Sequence, residues 1–255
     1  MKIVKSKMET SKGQLQYNIS GNGKPNIILI NGGSGPIEGW MRILPGISES
    51  ASVFSYNRFG VDDSDKPKEP QHGVTVVDTL REALSIVGFE PPFLLVGHSL
   101  GGLYANLYAR LYPNEVAGIV FVESSHPNDL TLEQFQGKAI KTINKVLKKF
   151  DSLSSLKQFN EVNYVEETVN QINQHSVFPE IPVYVVVGGK ENRMMPREAR
   201  KKRRENQLEL LSLSRNSKQI VAEKSGHFPQ MSEPRVVIDT IRDCAIKIFN
   251  NNVIQ

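Results

Sequence analysis

The stretch that decides the fold is Phe93-Leu94-Leu95-Val96-Gly97-His98-Ser99-Leu100-Gly101-Gly102. An apolar run typical of a buried strand leads into a serine flanked by glycines, and apolar residues at helical spacing follow. The pattern predicts a sharp strand-to-helix turn with strained backbone at Ser99, where a β-carbon at position 97 or 101 would collide with neighbouring elements. We therefore expect the Ser99 hydroxyl to project above the edge of a sheet, beside the Leu100 amide at a helix N-terminus.

Length and composition indicate one domain with a full core, because the chain has 255 residues of which 39% are hydrophobic. Residues 1–7 alternate charged and apolar side chains, and no apolar run is long enough to cross a bilayer. We therefore expect a cytoplasmic protein with no membrane partner. The single cysteine, Cys244, excludes an intrachain disulfide and fits a packed helix face.

The charge balance argues against a nucleic-acid partner, since 31 basic residues against 27 acidic ones leave a formal net charge of only +4. One local cluster is strongly basic and precedes apolar residues at helical spacing: Arg197, Arg200, Lys201, Lys202, Arg203 and Arg204. We interpret it as the solvated face of a helix. The alternative is a docking patch for an acidic partner or an anionic substrate.

Alternating strand and helix patterns predict an α/β fold with a mostly parallel, doubly wound sheet. Runs that are apolar on both faces, as expected of parallel strands covered by helices, occur at residues 26–30, 53–56, 93–96, 118–122 and 183–187. Two alternating segments between residues 2 and 20 predict an antiparallel hairpin at the sheet edge. A final helix is expected from about residue 235 to residue 249.

Residues 126–180 interrupt this rhythm, because they contain no apolar strand run. Helical spacing within them predicts helices over about 139–150, 153–159 and 162–172. We expect this segment to be a helical cap inserted into a core formed by residues 1–125 and 181–255. Ligands of open α/β sheets bind outside the carboxyl ends of the strands, so such a cap would cover the site.

A serine nucleophile needs a base, and His227 is the strongest of the five histidines. It lies in Ser225-Gly226-His227-Phe228-Pro229, between a short strand pattern and the last helix, where Gly226 permits a bend towards Ser99. The other four are less suitable: His98 is within the turn and points elsewhere, His126 is in a loop beside Pro127, and His72 and His175 lie in polar segments.

Over almost the whole chain, the sequence resembles the α/β-hydrolase superfamily. The resemblance rests on Gly97 to Gly102 and on Ser225-Gly226-His227, and two further stretches match: Asn31-Gly32-Gly33-Ser34-Gly35-Pro36 is similar to the family's oxyanion loop, and Tyr56-Asn57-Arg58-Phe59-Gly60 is similar to its Tyr-Asp-Arg-x-Gly turn. It implies that the amides of Gly33 and Leu100 hold an oxyanion, with Ser34 as a neighbouring possibility. Asn31 and Asn57 stand where the family usually has histidine and aspartate.

The acid of the predicted triad is left open between two carboxylates. By the resemblance, the family's usual aspartate falls on Asn192, a neutral amide that cannot stabilise an imidazolium as a carboxylate does. Glu191 precedes it in the same loop, while Glu123 follows the strand pattern of residues 118–122, a position from which some haloalkane dehalogenases take their acid. We favour Glu123, because the end of a buried strand would hold an orienting acid in place.

Three residues are weaker candidates for the substrate pocket: Trp40, Met194 and Phe228. For Trp40 core packing is the stronger interpretation. No cluster of His, Cys and carboxylate residues has metal-ligand spacing, and no cofactor motif is present, so we expect neither a metal nor a cofactor.

Together these features predict a serine hydrolase that cleaves a small carboxylic ester, thioester or related acyl substrate through an acyl-enzyme. A second hypothesis is an aminopeptidase similar to proline iminopeptidases, in which Glu161, Glu166 and Glu167 would bind the free amine. A third is a binding or signalling protein that kept the fold without turnover. The sequence leaves acyl length, leaving group and oligomeric state undetermined.

Overall fold

The computed structural model describes residues 3–130, 158–175, 177–191 and 195–253. Within them the strands are β1 (Ser6–Thr10), β2 (Gly13–Ser20), β3 (Asn26–Ile30), β4 (Ser52–Asn57), β5 (Phe93–His98), β6 (Val116–Val122), β7 (Val183–Gly188) and β8 (Ser217–Ala222). The described strands form one eight-stranded sheet in the order β1-β2-β4-β3-β5-β6-β7-β8. β1 and β2 form an antiparallel hairpin, β2 joins β4 antiparallel, and the remaining pairs are parallel. The predicted fold class and hairpin are confirmed.

The helices cover both faces of the sheet, as the doubly apolar strands predicted. They are α1 (Leu44–Ser48), α2 (Gly73–Ile86), α3 (Leu100–Leu111), α4 (Val165–Gln174), α5 (Arg197–Glu209), α6 (Pro229–Ser232) and α7 (Pro234–Val253). Alternate side chains of β3 enter two cores: Ile28 and Ile30 pack with residues of α2 and α3, whereas Ile27 and Leu29 pack with residues of α1 and α7. This period of two is what a strand buried on both faces requires.

The expected packed position of Cys244 is confirmed, since its side chain is fully buried in the core beneath α7. Burial raises the pKa of this thiol to about 12. None of the helices in the described part of the chain is long and apolar enough to span a lipid bilayer.

The predicted cap is described only in part, because residues 131–157 lie outside the described ranges. The predicted helix over 139–150 and most of the one over 153–159 fall on those residues. The third is observed as a 3₁₀ turn, Glu161–Tyr164, followed by α4. Val169 and Ile172 of α4 are buried in the core that α2 and α3 share. The division into core and cap remains a prediction.

Candidate active site

Ser99 occupies a strained turn between β5 and α3. Its φ of 50° and ψ of −122° lie outside the regions that non-glycine residues normally adopt. The turn is tight: a β-carbon on Gly97 would lie 2.7 Å from the Gly101 carbonyl oxygen, and one on Gly101 would overlap the Ile30 carbonyl oxygen. Although serine at such a position often caps the helix, the Ser99 hydroxyl makes no cap hydrogen bond. It is therefore available for another partner.

That partner is His227, whose Nε2 lies 3.2 Å from Ser99 Oγ. The loop that carries His227, between β8 and α6, is held by Glu233, which accepts hydrogen bonds from the Lys224 amide and the Ser225 hydroxyl, each at 2.7 Å. The His227 side chain is 43% exposed, so a small molecule in solvent can reach it. A hydroxyl within hydrogen-bonding distance of an accessible imidazole is the arrangement that nucleophilic catalysis requires.

Glu123 lies on the other side of His227, with Oε2 3.4 Å from Nδ1. It follows β6 with a φ of 43°, and its Oε1 accepts a hydrogen bond from the Gly188 amide at 2.7 Å. Burial alone would raise the pKa of Glu123, but the hydrogen bonds from His227 and Gly188 and the charge of Arg203 bring it below the ordinary value. Glu123 is thus an anion beside the imidazole.

Glu191, the alternative acid, is placed differently. Its carboxylate is 52% exposed and forms ion pairs with Arg200 at 3.4 Å and Arg204 at 3.5 Å. The structure therefore brings Glu123, and not Glu191, to the histidine. Asn192, where the family's usual aspartate falls, is outside the described residues.

Arg203 corrects the interpretation of the basic cluster as a purely solvated face. From α5 its Nη2 donates to the Glu123 carboxylate and to the Glu123 carbonyl oxygen, each at 3.3 Å, and its Nη1 pairs with Asp129 at 3.2 Å. The sequence does not distinguish Arg203 from the other five basic residues, because all six lie in one charged stretch. Its contact with a residue 80 positions away is visible only in three dimensions.

His98 also contributes to the site, which corrects the expectation that it points elsewhere. Its ring does not replace the base, but its Nε2 lies 2.8 Å from the His227 carbonyl oxygen, and since a carbonyl only accepts, His98 is the donor. Burial lowers the pKa of His98 to about 4. A neutral imidazole therefore holds the main chain of the candidate base.

The remaining histidines have other partners. His72 caps α2 and contacts Gln171, and His126 faces Glu209 at 3.7 Å. The carbonyl of His175 accepts a hydrogen bond from Arg110.

The candidate oxyanion loop lies against the nucleophile, since a β-carbon on Gly32 would be 3.2 Å from Ser99 Cβ. Among the described residues, the backbone amides of Gly33 and Leu100 donate to no acceptor. Ser34 is different: its amide donates to Glu161 Oε1 at 2.7 Å. The suggestion that Ser34 is an oxyanion donor is therefore wrong, because its N–H is already engaged.

Glu161 is equally unsuited to the amine pocket that the aminopeptidase hypothesis assigned to it. Its carboxylate is buried and bonded to Arg58, the Ser34 amide and the Tyr104 hydroxyl. Glu166 and Glu167 are exposed on α4. Both carboxylates are therefore solvated side chains on the surface of a helix.

Of the three weaker pocket candidates, Phe228 is at the site: its ring is 54% exposed and centred 5.1 Å from that of His227. Trp40 is not, because it is fully buried in the core and its ring contacts His98 edge-on at 6.2 Å. Core packing is thus the correct interpretation for Trp40. Met194 lies outside the described residues.

Residues 25–151 match the family model of the alpha/beta hydrolase fold. A putative lipase from Acinetobacter baumannii AYE has a similar structure, with a TM-score of 0.68 and 20% identity over 98% of this chain and 93% of that one. The chain belongs to the α/β-hydrolase superfamily. Its sheet order, its elbow at Ser99 and its histidine loop after β8 all agree with that membership.

Two curated proteins are similar to this α/β-hydrolase in sequence. The human (Lyso)-N-acylphosphatidylethanolamine lipase is 27% identical over 109 residues, which cover 40% of this chain and 31% of the lipase. Methylesterase 9 of Arabidopsis thaliana is 30% identical over 118 residues, which cover 43% of this chain and 46% of the esterase. The chain thus matches less than half the length of either relative.

Proposed function

We propose that this protein is a serine hydrolase that cleaves small carboxylic esters or related acyl substrates through an acyl-enzyme. The observation that carries the proposal is the connected series Ser99 Oγ, His227 Nε2, His227 Nδ1 and Glu123 Oε2, with distances of 3.2 Å and 3.4 Å. These distances are at the long end of hydrogen bonding, as is common before substrate binds. The similarity to a lipase and an esterase supports the same class of substrate.

In the first half of the reaction, Ser99 Oγ attacks the acyl carbonyl carbon while His227 Nε2 accepts the hydroxyl proton. Glu123 stabilises the imidazolium through Nδ1–H, and its anionic state suits that task. The carbonyl oxygen becomes an oxyanion, which the Gly33 and Leu100 amides bind. When the tetrahedral intermediate collapses, the bond to the leaving group breaks and His227 gives that group its proton.

In the second half, His227 accepts a proton from water as the water oxygen attacks the acyl carbon. A second tetrahedral intermediate forms in the same oxyanion hole. Its collapse releases the carboxylic acid and returns the proton to Ser99 Oγ. The protein thereby regains its starting state with no other reactant than water.

Apolar side chains at the site favour an apolar acyl group over a charged one. Val162, 48% exposed, and Leu100 both lie beside Gly33, where a β-carbon would be 3.4 Å from each side chain. Phe228 lies beyond His227. Apolar side chains beside Gly33 and beside His227 suit an apolar acyl chain.

A fluorophosphonate probe tests the proposal, because it phosphonylates only an activated serine. We expect labelling of the folded protein, a mass increase on the peptide that contains Ser99, and no labelling of Ser99→Ala. Ser125→Ala is a matched control that leaves labelling intact. A folded protein that remains unlabelled would instead support the third hypothesis, a binding protein without turnover.

A further inference from the structure

A buried ion pair lies beneath the candidate oxyanion loop. Arg58 directly follows β4, and Glu161 begins the 3₁₀ turn Glu161–Tyr164. Their side chains are only 3% and 4% exposed and form a direct ion pair. Arg58 Nε donates to Glu161 Oε2, and Nη2 donates to Oε1 at 2.9 Å. Two parallel bonds give this pair a defined orientation.

The remaining donors of Arg58 hold the loop itself. Nη1 donates to the Asn31 carbonyl oxygen at 3.0 Å, and Nη2 donates to the Gly32 carbonyl oxygen at 2.6 Å. The Gly32 carbonyl and the Gly33 N–H belong to one planar peptide unit. By fixing the oxygen, Arg58 therefore fixes the direction of the N–H that we assign to the oxyanion.

Glu161 holds the next peptide unit, because its Oε1 accepts the Ser34 N–H at 2.7 Å. Ser34 has a φ of 52°, a left-handed conformation that a serine keeps only when its surroundings impose it. Both peptide units of Gly33 are thus held by the same ion pair. A cationic donor on the Gly32 oxygen also polarises that peptide, which makes its N–H a stronger donor.

Tyr104 completes the network from α3. Its hydroxyl donates to Glu161 Oε2 at 3.2 Å, and its ring lies 5.3 Å from the Arg58 guanidinium carbon. Burial and then the Glu161 charge raise the pKa of Tyr104 well above its ordinary value, so the hydroxyl keeps its proton. The ion pair therefore has partners both in the candidate oxyanion loop and on α3.

We propose that Arg58 and Glu161 are positioning residues for the oxyanion hole, which orient and polarise the Gly32–Gly33 peptide without touching the substrate. The inference rests on the proposed function, since it concerns the donor for the acyl oxyanion. Buried ion pairs contribute little stability of their own, which favours a role in orientation. The competing interpretation is a tether that only attaches residues 158–164 to the core.

The test compares Arg58→Lys and Glu161→Gln with the remote, more exposed pair Arg81 and Glu115 as control, through Arg81→Lys and Glu115→Gln. For each variant, kcat and KM are measured with p-nitrophenyl butyrate. The inhibition constant of an aryl trifluoromethyl ketone, whose serine adduct bears an oxyanion, and the Tm are measured as well.

We expect Arg58→Lys and Glu161→Gln to lower kcat by about 10- to 100-fold with KM changed less than about 3-fold. This is less than the roughly 10²- to 10³-fold that outright loss of an oxyanion donor costs, because the Gly33 N–H is misoriented and not removed. The trifluoromethyl ketone should bind more weakly by a similar factor, while the controls match the wild type. Folded variants with wild-type kcat and inhibitor affinity, or with a raised KM alone, would overturn the inference in favour of the tether.

Ser99→Ala, measured in parallel, separates this inference from the proposed function. Wild-type turnover that survives in Ser99→Ala, or no turnover at all, overturns both. If Arg58→Lys and Glu161→Gln fail to fold, Tyr104→Phe carries the test, because it removes only the hydroxyl that donates to Glu161. We expect the kcat of Tyr104→Phe to be about 3-fold below that of wild type, which corresponds to the usual contribution of one hydrogen bond. An unchanged kcat overturns the inference.

Discussion

His98 donates its Nε2–H to the backbone carbonyl oxygen of His227, and the two rings lie 4.9 Å apart. The residue before the candidate nucleophile thus holds the main chain of the candidate base. This contact joins the elbow after β5 to the loop after β8, which are 129 residues apart in sequence. A change at His98 should therefore affect both stability and the geometry of catalysis.

His98 should make the protein sensitive to mild acid. Burial lowers its pKa to about 4 in the folded state, whereas in the unfolded chain it takes up a proton near pH 6.5. The unfolded state therefore binds more protons between these values, and the free energy of unfolding falls as the pH drops through them, by roughly 3 kcal/mol for this shift. Urea unfolding at pH 7 and pH 4.5 measures this loss of stability.

The variant that tests this prediction is His98→Gln, which should lose less stability than wild type over this interval. His175→Gln is the control, because it changes an exposed histidine, and it should behave as wild type. Equal losses in all three proteins would contradict the assignment to His98.

The two candidate acids can be ranked by matched amide substitutions. Glu123→Gln should lower kcat for p-nitrophenyl acetate by about 10³- to 10⁴-fold, because a neutral amide neither stabilises the imidazolium nor selects its tautomer. Glu191→Gln should change kcat less than about 2-fold, since its ion pairs are largely exposed to solvent. The opposite ranking would transfer the role to Glu191.

Arg203 should support Glu123 from α5. Arg203→Met removes the charge-assisted hydrogen bond to the Glu123 carboxylate, so we expect kcat to fall by about 10-fold. It should also raise the pKa of Glu123 towards its ordinary value. A lowered pKa stabilises the folded protein above pH 4.5 and this contribution disappears as the pH falls, so Arg203→Met should lose less stability than wild type on acidification.

The control for Arg203 is Arg204→Met, which removes the same charge from the next residue of α5. Arg204 is 64% exposed and pairs with Glu191 instead. Its kcat and its acid sensitivity should match those of wild type. Equal effects of the two substitutions would show that general charge, and not contact with Glu123, matters.

Val162 should influence acyl length, because its side chain lies beside Gly33. Val162→Ala should raise kcat/KM for p-nitrophenyl hexanoate relative to the acetate by about 3- to 10-fold. This is less than the roughly 10- to 200-fold that a methylene group contributes in an enclosed apolar pocket, because Val162 is 48% exposed. Val162→Phe should shift the ratio the other way. Val177→Ala, at a loop valine that is 79% exposed, is the control; a ratio that stays constant across the Val162 series would exclude this role.

The fold was predictable because its signals are local. Apolar residues on both faces of β3 and β5 indicate a covered parallel sheet, and the glycines around Ser99 indicate a turn into which no β-carbon fits. The structure bears out both. His227 was found in the same way, from a short strand pattern and a glycine directly before it.

The rest of the site depends on contacts between distant residues that no local pattern encodes. Arg58 and Glu161 are 103 residues apart, so their burial as a pair could not be inferred from an Arg in a turn and a Glu in a helical segment. The position of Glu123 after a buried strand favoured it over Glu191, but only packing shows that its carboxylate reaches His227. Arg203 differs from its neighbours in the basic cluster solely by the side of α5 on which it lies.

Whether Ser99 is the nucleophile is tested most directly by rapid mixing of the wild-type protein with p-nitrophenyl acetate, combined with mass spectrometry of acid-quenched samples before and after digestion. We predict a burst of p-nitrophenol approaching one equivalent per chain and an acetyl group on the peptide that contains Ser99, both lost in Ser99→Ala and strongly slowed in His227→Gln. Turnover of the ester without any acetylated Ser99, or with equal rates in wild type and Ser99→Ala, would contradict it.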